Sequence, residues 1–349
     1  MNCPLMWYFR GFMQDELIAE FLQKSSWKKA VITTHHKPDS DALGSSLGLY
    51  HFLLAHVPEV QVITPTDYPD FLHWMPGNDQ VIIYEGNEAS CNELVHEADV
   101  VFCLDFNALS RINELGEVVR ASRAMKVLID HHQEPEGFED LAIWTTQASS
   151  TCELVYRFIS KNFGREAISI ESASCLYSGI LTDTGNFRHR NTGPETHRAV
   201  ADLIELGANI SHIHEELYDN FRENRLRLIG YTLAERMEIL EDCRTVLITL
   251  SKEDLERFEV QTGDTEGLVN YGLSIRGIRL AVLIVDRSKL VKMSFRSKGG
   301  FSVNEFARKH FQGGGHFNAA GGQSAESFEA VVARFKDVIR YYREDLNKL

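Results

Sequence analysis

His35-His36-Lys37-Pro38-Asp39-Ser40-Asp41 follows directly on the apolar run Ala30-Val31-Ile32-Thr33-Thr34. A short buried strand that hands its chain to a histidine and aspartate cluster is the pattern of a parallel α/β sheet, where ligands gather beyond the carboxyl ends of the strands. Leu43, Leu47, Tyr50 and Leu54 then recur at helical spacing, which predicts a helix from Ala42 to Leu54. Gln61–Thr64 and Val100–Leu104 read as further strands, the second ending at Asp105. Lys126–Ile129 is another, and it ends at Asp130-His131-His132. Three polar clusters therefore fall at strand ends.

A fourth follows a helix. Ala173, Leu176, Tyr177 and Ile180 give Glu171–Leu181 an apolar face, placing Asp183 at or just beyond its C-terminal end, with Gly185 permitting a sharp turn. From about Pro194 to Leu240 the pattern turns helical and charge-rich. Thr245–Leu250, Leu280–Val285 and Leu290–Phe295 then read as strands of a second domain, closed by an amphipathic helix over Phe328–Leu349. The expected organisation is an N-terminal domain over 1–195, a helical linker over 196–240 and a smaller α/β domain over 241–349, with the site in the cleft between the domains.

Composition narrows the function classes. A chain of 349 residues, 44% hydrophobic, has the length of about two domains with ordinary cores. Its six cysteines, at 3, 91, 103, 152, 175 and 243, form no C-x-x-C pair, so reduced thiols in a cytoplasm are expected, with Cys103 filling a strand. Trp7, Tyr8, Phe9 and Arg10 do not compose a secretory leader, and no later run approaches the roughly 20 apolar residues of a membrane span. The formal charge of −14 argues against a long groove for duplex or polymeric nucleic acid. A small phosphate pocket remains compatible with it.

Oxygen and imidazole ligands without a thiol suit magnesium, manganese or borderline divalent metals, and a bridging carboxylate can hold two ions about 3.5–4 Å apart for phosphoester chemistry. Each cluster also has a plainer reading. Asp41 could N-cap the following helix while Asp39 stabilises the turn, and Gly44, Ser45 and Ser46 are close-packing residues. Asp105 could be a strand-end turn residue, although a buried carboxylate there needs a compensating partner. Three ionisable groups in succession, Asp130-His131-His132, are harder to explain structurally; an imidazole can ligate a metal or donate a proton. Gly313-Gly314-Gly315-His316, followed by Asn318-Ala319-Ala320-Gly321-Gly322, reads as an anion-binding backbone nest or else a flexible loop. Arg296 follows a strand and could fork onto a phosphate, or stand at the surface.

The ordered set of His35 to Ser45, Asp105, Asp130-His131-His132 and Asp183-Thr184-Gly185 resembles the DHH phosphoesterase superfamily, and Gly313–His316 with Ala319-Ala320-Gly321 resembles its DHH-associated domain. The resemblance implies that His35, Asp39 and Asp105 hold one ion and Asp41, Asp105, His131 and Asp183 the other, with Asp105 bridging. It implies His132 as phosphate ligand or proton donor, Asp130 orienting the imidazoles, and two divalent ions, manganese above all, as cofactors. Arg296 and Gly313, Gly314, Gly315 and His316 would hold a substrate phosphate. A two-domain chain of this length is similar to the short-oligonucleotide branch, whose members act as nanoRNases and often dephosphorylate 3′-phosphoadenosine 5′-phosphate. Expected partners are thus short RNA, dinucleotides or bisphosphate nucleotides, with no long duplex and no membrane; a homodimer is an open option. The alternatives are a cyclic or linear dinucleotide phosphodiesterase, an inorganic pyrophosphatase, a long-strand exonuclease, or a nucleotide sensor without turnover.

Overall fold

Alternation along the strands of the first half sends odd and even side chains into two separate cores, which is what a sheet covered on both faces requires. Ala30, Ile32, Val100, Phe102, Leu104, Val127 and Ile129 enter one core, and Val31, Val101, Cys103 and Leu128 enter the other. The computed structural model describes residues 4–348, with side chains from 14 onward. Cys3, Leu349 and the side chains of Trp7, Tyr8, Phe9 and Arg10 lie outside the described residues. The chain divides into two compact units, Met1–Asn220 and Phe221–Leu349.

In the first unit the elements run α1 (Pro4–Gln23), β1 (Lys29–Thr34), α2 (Ser40–Leu53), β2 (Glu59–Thr64), β3 (Val81–Ile83), α3 (Glu88–Glu97), β4 (Val100–Leu104) and α4 (Leu115–Ala121). They continue as β5 (Met125–Asp130), β6 (Leu141–Trp144), α5 (Thr151–Phe163), α6 (Ile170–Asp183), α7 (Pro194–Glu205) and α8 (Ile210–His214). The six strands are all parallel, in the order β3-β2-β1-β4-β5-β6. The chain thus winds outward one way from β1 and the other way from β4. Neighbouring crossovers diverge there, which opens a crevice at the carboxyl ends of β1 and β4. The expected parallel α/β domain is the observed one, with β3 and β6 added at the edges, where short sequences carry little periodic signal.

The second unit runs α9 (Glu223–Glu235), β7 (Met237–Leu240), β8 (Thr245–Leu250), α10 (Lys252–Arg257), α11 (Leu268–Leu273), β9 (Leu280–Asp286), β10 (Val291–Ser297) and α12 (Val303–His310). It ends with β11 (Gly314–Gly315), β12 (Ala319–Ser324), α13 (Phe328–Arg340) and α14 (Arg343–Lys348). Its sheet is mixed, in the order β11-β12-β10-β9-β8-β7, with only β8 and β9 parallel. The stretch 196–240 is shared out: α7 and α8 belong to the first unit, α9 and β7 to the second. The expected single closing helix is two helices. The break at Tyr341-Tyr342 leaves Tyr341 exposed while the Tyr342 hydroxyl meets His310 Nε2 at 2.8 Å and Leu346 returns to the core. Among the described residues no helix is long and apolar enough to cross a membrane.

Candidate metal centre

β1 delivers His35 and His36 together, and only one of them turns inward. The His36 ring and its N–H both bind Arg111 O, each at 2.9 Å. His35 Nδ1 lies 2.9 Å from His36 O, an acceptor that can only take a proton, so the neutral ring presents its Nε2 lone pair. That nitrogen faces Asp105 Oδ2 at 3.5 Å and Asp39 Oδ1 at 3.9 Å. Asp39, not Asp41, is the N-cap of α2: its Oδ1 accepts from the amides of Asp41 and Ala42, both at 3.0 Å. The cap needs an extended residue one step before the first helical turn, and Asp39 occupies it.

Asp41 is thereby released to point across the crevice. It is 1% exposed, and its two oxygens accept from the first amides of α5, Thr151 N at 2.7 Å and Cys152 N at 2.9 Å. Asp105 follows β4 with φ +63°, a left-handed conformation costing roughly 1–3 kcal/mol in a residue other than glycine. Its N–H still extends the ladder to Ile129 O at 3.0 Å. Its Oδ2 faces His35, while Oδ1 takes the Thr151 hydroxyl at 2.8 Å and lies 3.5 Å from His131 Nε2. The same His131 nitrogen stands 3.7 Å from Asp41 and 3.5 Å from Asp183.

Asp183 is the last residue of α6, as the sequence led us to expect. A helix C-terminus repels a carboxylate, so the position calls for a cation. The fit between α6 and α2 that brings Asp183 beside Asp41 depends on glycine. A Cβ at Gly44 would stand 2.6 Å from Cys175 O, and one at Gly48 would meet Leu176 at 2.5 Å. Asp130 ends β5, fully buried, and its Oδ1 accepts from His132 Nδ1 at 2.8 Å. The backbone oxygen of His132 is held in turn by Trp144 Nε1 at 2.7 Å.

Two overlapping donor sets result, His35/Asp39/Asp105 and Asp41/His131/Asp183, with Asp105 touching both. Among the described residues, the only cationic side chains paired with Asp41, Asp105, Asp130 and Asp183 are imidazoles. Burial, then Asp105 and Asp183, push Asp41 well above the usual carboxylate range. Burial likewise lifts Asp183 to about 6, with His131 opposing and Asp105 adding. For Asp105 burial acts upward too, but His131, His35 and His132 outweigh it and hold the group well below its ordinary value. Burial alone would lower His131 and His35; their carboxylate neighbours raise both. Burial and like charge thus favour the proton on Asp41 and Asp183, and the surrounding carboxylates favour it on the two imidazoles.

The spacing fits a cation. The 3.5–3.9 Å separations are too long for N–H···O hydrogen bonds. Atoms bound to one ion at about 2.0–2.1 Å lie roughly 3.0–3.4 Å apart, so a small inward movement would complete either set. Among the described residues no thiol takes part: Cys152 is buried behind Asp41, its Sγ 3.6 Å from the Asp41 backbone oxygen.

Arg296 and the glycine run lie in the second unit. Arg296 does not follow a strand but sits within β10, opposite Ala319 of β12, because the ladder to β9 extends through Ser297. The glycine run is not a nest. Gly314 and Gly315 form β11, paired with Gly321 and Ala320, and His316–Ala319 closes the hairpin, with His316 N 2.7 Å from Ala319 O. The Gly315 amide is taken by Asn304 Oδ1 at 3.0 Å. Glycine is required for close approach: a Cβ at Gly313 would stand 2.0 Å from Gly321 O. The register places the hairpin turn next to Arg296.

Sequence reasoning missed Thr151 and Trp144. Ser150-x-x-Glu153 has the spacing of a helix capping box, which marks where α5 starts but not what its first turn faces.

Comparison with known proteins agrees with the order of these features. Residues 29–180 match the DHH family N-terminal domain, and residues 245–341 match the DHHA1 domain. A Thermus thermophilus protein named bifunctional oligoribonuclease and PAP phosphatase NrnA is 32% identical over 340 residues, 97% of this chain and 96% of that one. The Bacillus subtilis protein of the same name is 29% identical over 315 residues, 88% of this chain and 92% of its own. The crystal structure of an exopolyphosphatase-related protein from Bacteroides fragilis superimposes with a TM-score of 0.90 at 39% identity, covering 96% of this chain and 98% of that one.

Proposed function

The chain belongs to the DHH family, and from that membership we propose that it hydrolyses very short oligoribonucleotides to nucleoside 5′-monophosphates and removes the 3′-phosphate of 3′-phosphoadenosine 5′-phosphate. The observation that carries the reading is Asp105, whose two oxygens face two different donor sets from a left-handed backbone position. His35, Asp39 and Asp105 would hold one divalent ion, and Asp41, Asp105, His131 and Asp183 the other; we assign manganese to both. Bound there, such ions acidify water and neutralise charge on phosphoryl oxygens.

The remaining work falls to the chain's own groups. Asp130 engages His132 Nδ1, so Nε2 is the nitrogen that would donate to a phosphate oxygen or to the leaving alkoxide. Trp144 fixes the backbone of the same residue, which keeps the ring from swinging with its turn. In the second unit, the Arg296 fork and the Gly313–His316 hairpin would hold a further phosphate, with the His316 imidazole as a donor. The five described cysteines are buried and unpaired, which supports a reducing compartment, and we place the protein in the cytoplasm.

The test is a purified-protein assay with Mn²⁺ against labelled RNAs of increasing length, 3′-phosphoadenosine 5′-phosphate, a cyclic dinucleotide and pyrophosphate. Turnover of dinucleotides and of the bisphosphate is expected. Hydrolysis confined to pyrophosphate or to the cyclic dinucleotide would replace the reading, and binding without turnover would make the protein a sensor.

A further inference from the structure

We propose that Thr151 is a positioning residue that aligns both halves of the metal centre from the first turn of α5. The proposal rests on the metal-centre reading above. Thr151 is fully buried and touches two carboxylates at once: its amide donates to Asp41 Oδ2 at 2.7 Å and its hydroxyl to Asp105 Oδ1 at 2.8 Å. The next amide, of Cys152, takes the other Asp41 oxygen at 2.9 Å. The first amides of a helix have no acceptor within it, so Asp41 satisfies two donors that would otherwise be buried without partners.

The hydroxyl does a separate job. Asp105 is reached by three imidazoles, and a carboxylate at the end of a strand could rotate toward any of them. A donor on Oδ1 occupies one lone-pair direction and fixes the plane of the group, leaving Oδ2 toward His35 and the remaining side of Oδ1 toward His131. The support behind Thr151 is rigid. Ser150 caps α5 by accepting from Glu153 N at 3.0 Å. The fully buried Glu153 carboxylate accepts from Ser149 N at 2.8 Å, from the Ser149 hydroxyl and from Thr196 Oγ1 at 3.1 Å, and it pairs with Arg157. β-Branching restricts the rotation of the threonine itself.

The experiment titrates metal-free protein with Mn²⁺ by calorimetry for wild type, Thr151→Val, Thr151→Ala and Thr151→Ser, with circular dichroism and dinucleotide hydrolysis alongside. Groups that orient metal ligands typically contribute 10–100-fold in affinity, so Val and Ala should each lose about that factor, while Ser restores most of it. The valine and alanine variants should keep the wild-type helical signal and lose kcat at subsaturating metal more than they raise KM. Two ions bound with wild-type affinity by Val and Ala would overturn the role of Thr151 alone. Equal loss in Ser, Val and Ala would overturn it too, since packing rather than the hydroxyl would then be responsible. Wild-type protein that binds no Mn²⁺ would defeat the metal centre and this proposal with it.

Discussion

Asp105 combines two local penalties, a left-handed backbone and nearly complete burial of a carboxylate. Both are repaid only if the group serves more than one partner. Asp105→Ala is therefore expected to abolish binding at both ion positions and nearly all hydrolysis while leaving the helical circular dichroism intact; two bound ions in that variant would remove Asp105 from the centre. His132→Ala should keep its metal and lose about 10²–10⁴-fold in kcat, the usual contribution of a general acid. Metal content and single-turnover rates measured together separate the two cases.

The titrating groups predict a pH response of the same site. Asp183 is raised to about 6 and His131 is raised above its ordinary range, so below about pH 6 the metal-free protein carries protons on both that an incoming cation must displace. Apparent metal affinity should rise with pH through about 6, with proton release detectable by calorimetry in buffers of different ionisation enthalpy. Stability of the metal-free protein runs the opposite way. Each group binds its proton more tightly folded than unfolded, so the contribution is complete below the unfolded pKa and is lost as pH rises through the folded one. A melting series without metal, from about pH 5 to 8, should show this pair of sites favouring the acidic side.

At the scale of elements, two helix contacts decide whether the carboxylates meet. A Cβ at Gly179 would stand 2.2 Å from Cys152 Sγ and 2.9 Å from both Asp41 Cα and Oδ1. Gly179→Ala should thus cost about 1–3 kcal/mol through overpacking and should also displace Asp41, weakening metal binding. Gly230, within α9, is the control: nothing lies within 4 Å of its added Cβ. Gly230→Ala should stabilise by roughly 0.5–1 kcal/mol with metal binding unchanged, because it removes only the conformational freedom of glycine in a helix. Chemical denaturation and metal titration of both variants check the pair.

For the molecule as a whole, the formal charge of −14 argues against a long electrostatic groove and so for short substrates. Each added nucleotide brings a charge that only an extended basic track would neutralise, so affinity should not keep growing with the chain. We expect kcat/KM to peak at about two to five nucleotides, the range that the resemblance to the short-oligonucleotide branch implies, with a compact pocket as its physical support. Arg296→Ala and His316→Ala should weaken use of these short substrates with both ions still bound. A steady rise in kcat/KM to about twenty nucleotides at fixed salt, with both variants unaffected, would contradict the compact-pocket reading.

The amino-acid sequence by itself determined the four central strands of the first unit's parallel sheet and where they end, because apolar runs of strand length between polar clusters admit few other structures; the short edge strands β3 and β6 carried too little periodic signal. It also determined which residue types stand at those ends. Tertiary packing alone decided which of them face one another. His35 and His36 are chemically identical neighbours, and only the position of the Arg111 carbonyl turns one away. The plainer reading of the sequence makes Asp41 the cap and Asp39 the turn residue; Asp39 is the cap, and the start of α5 claims both oxygens of Asp41. The glycine run reads in sequence as a nest or a flexible loop, and it is a strand because β12 comes within reach of Gly313. Local spacing sets secondary structure through the backbone and the periodicity of side chains. Which buried polar group meets which depends on donors supplied by distant segments, and those are brought together only when the cores have packed.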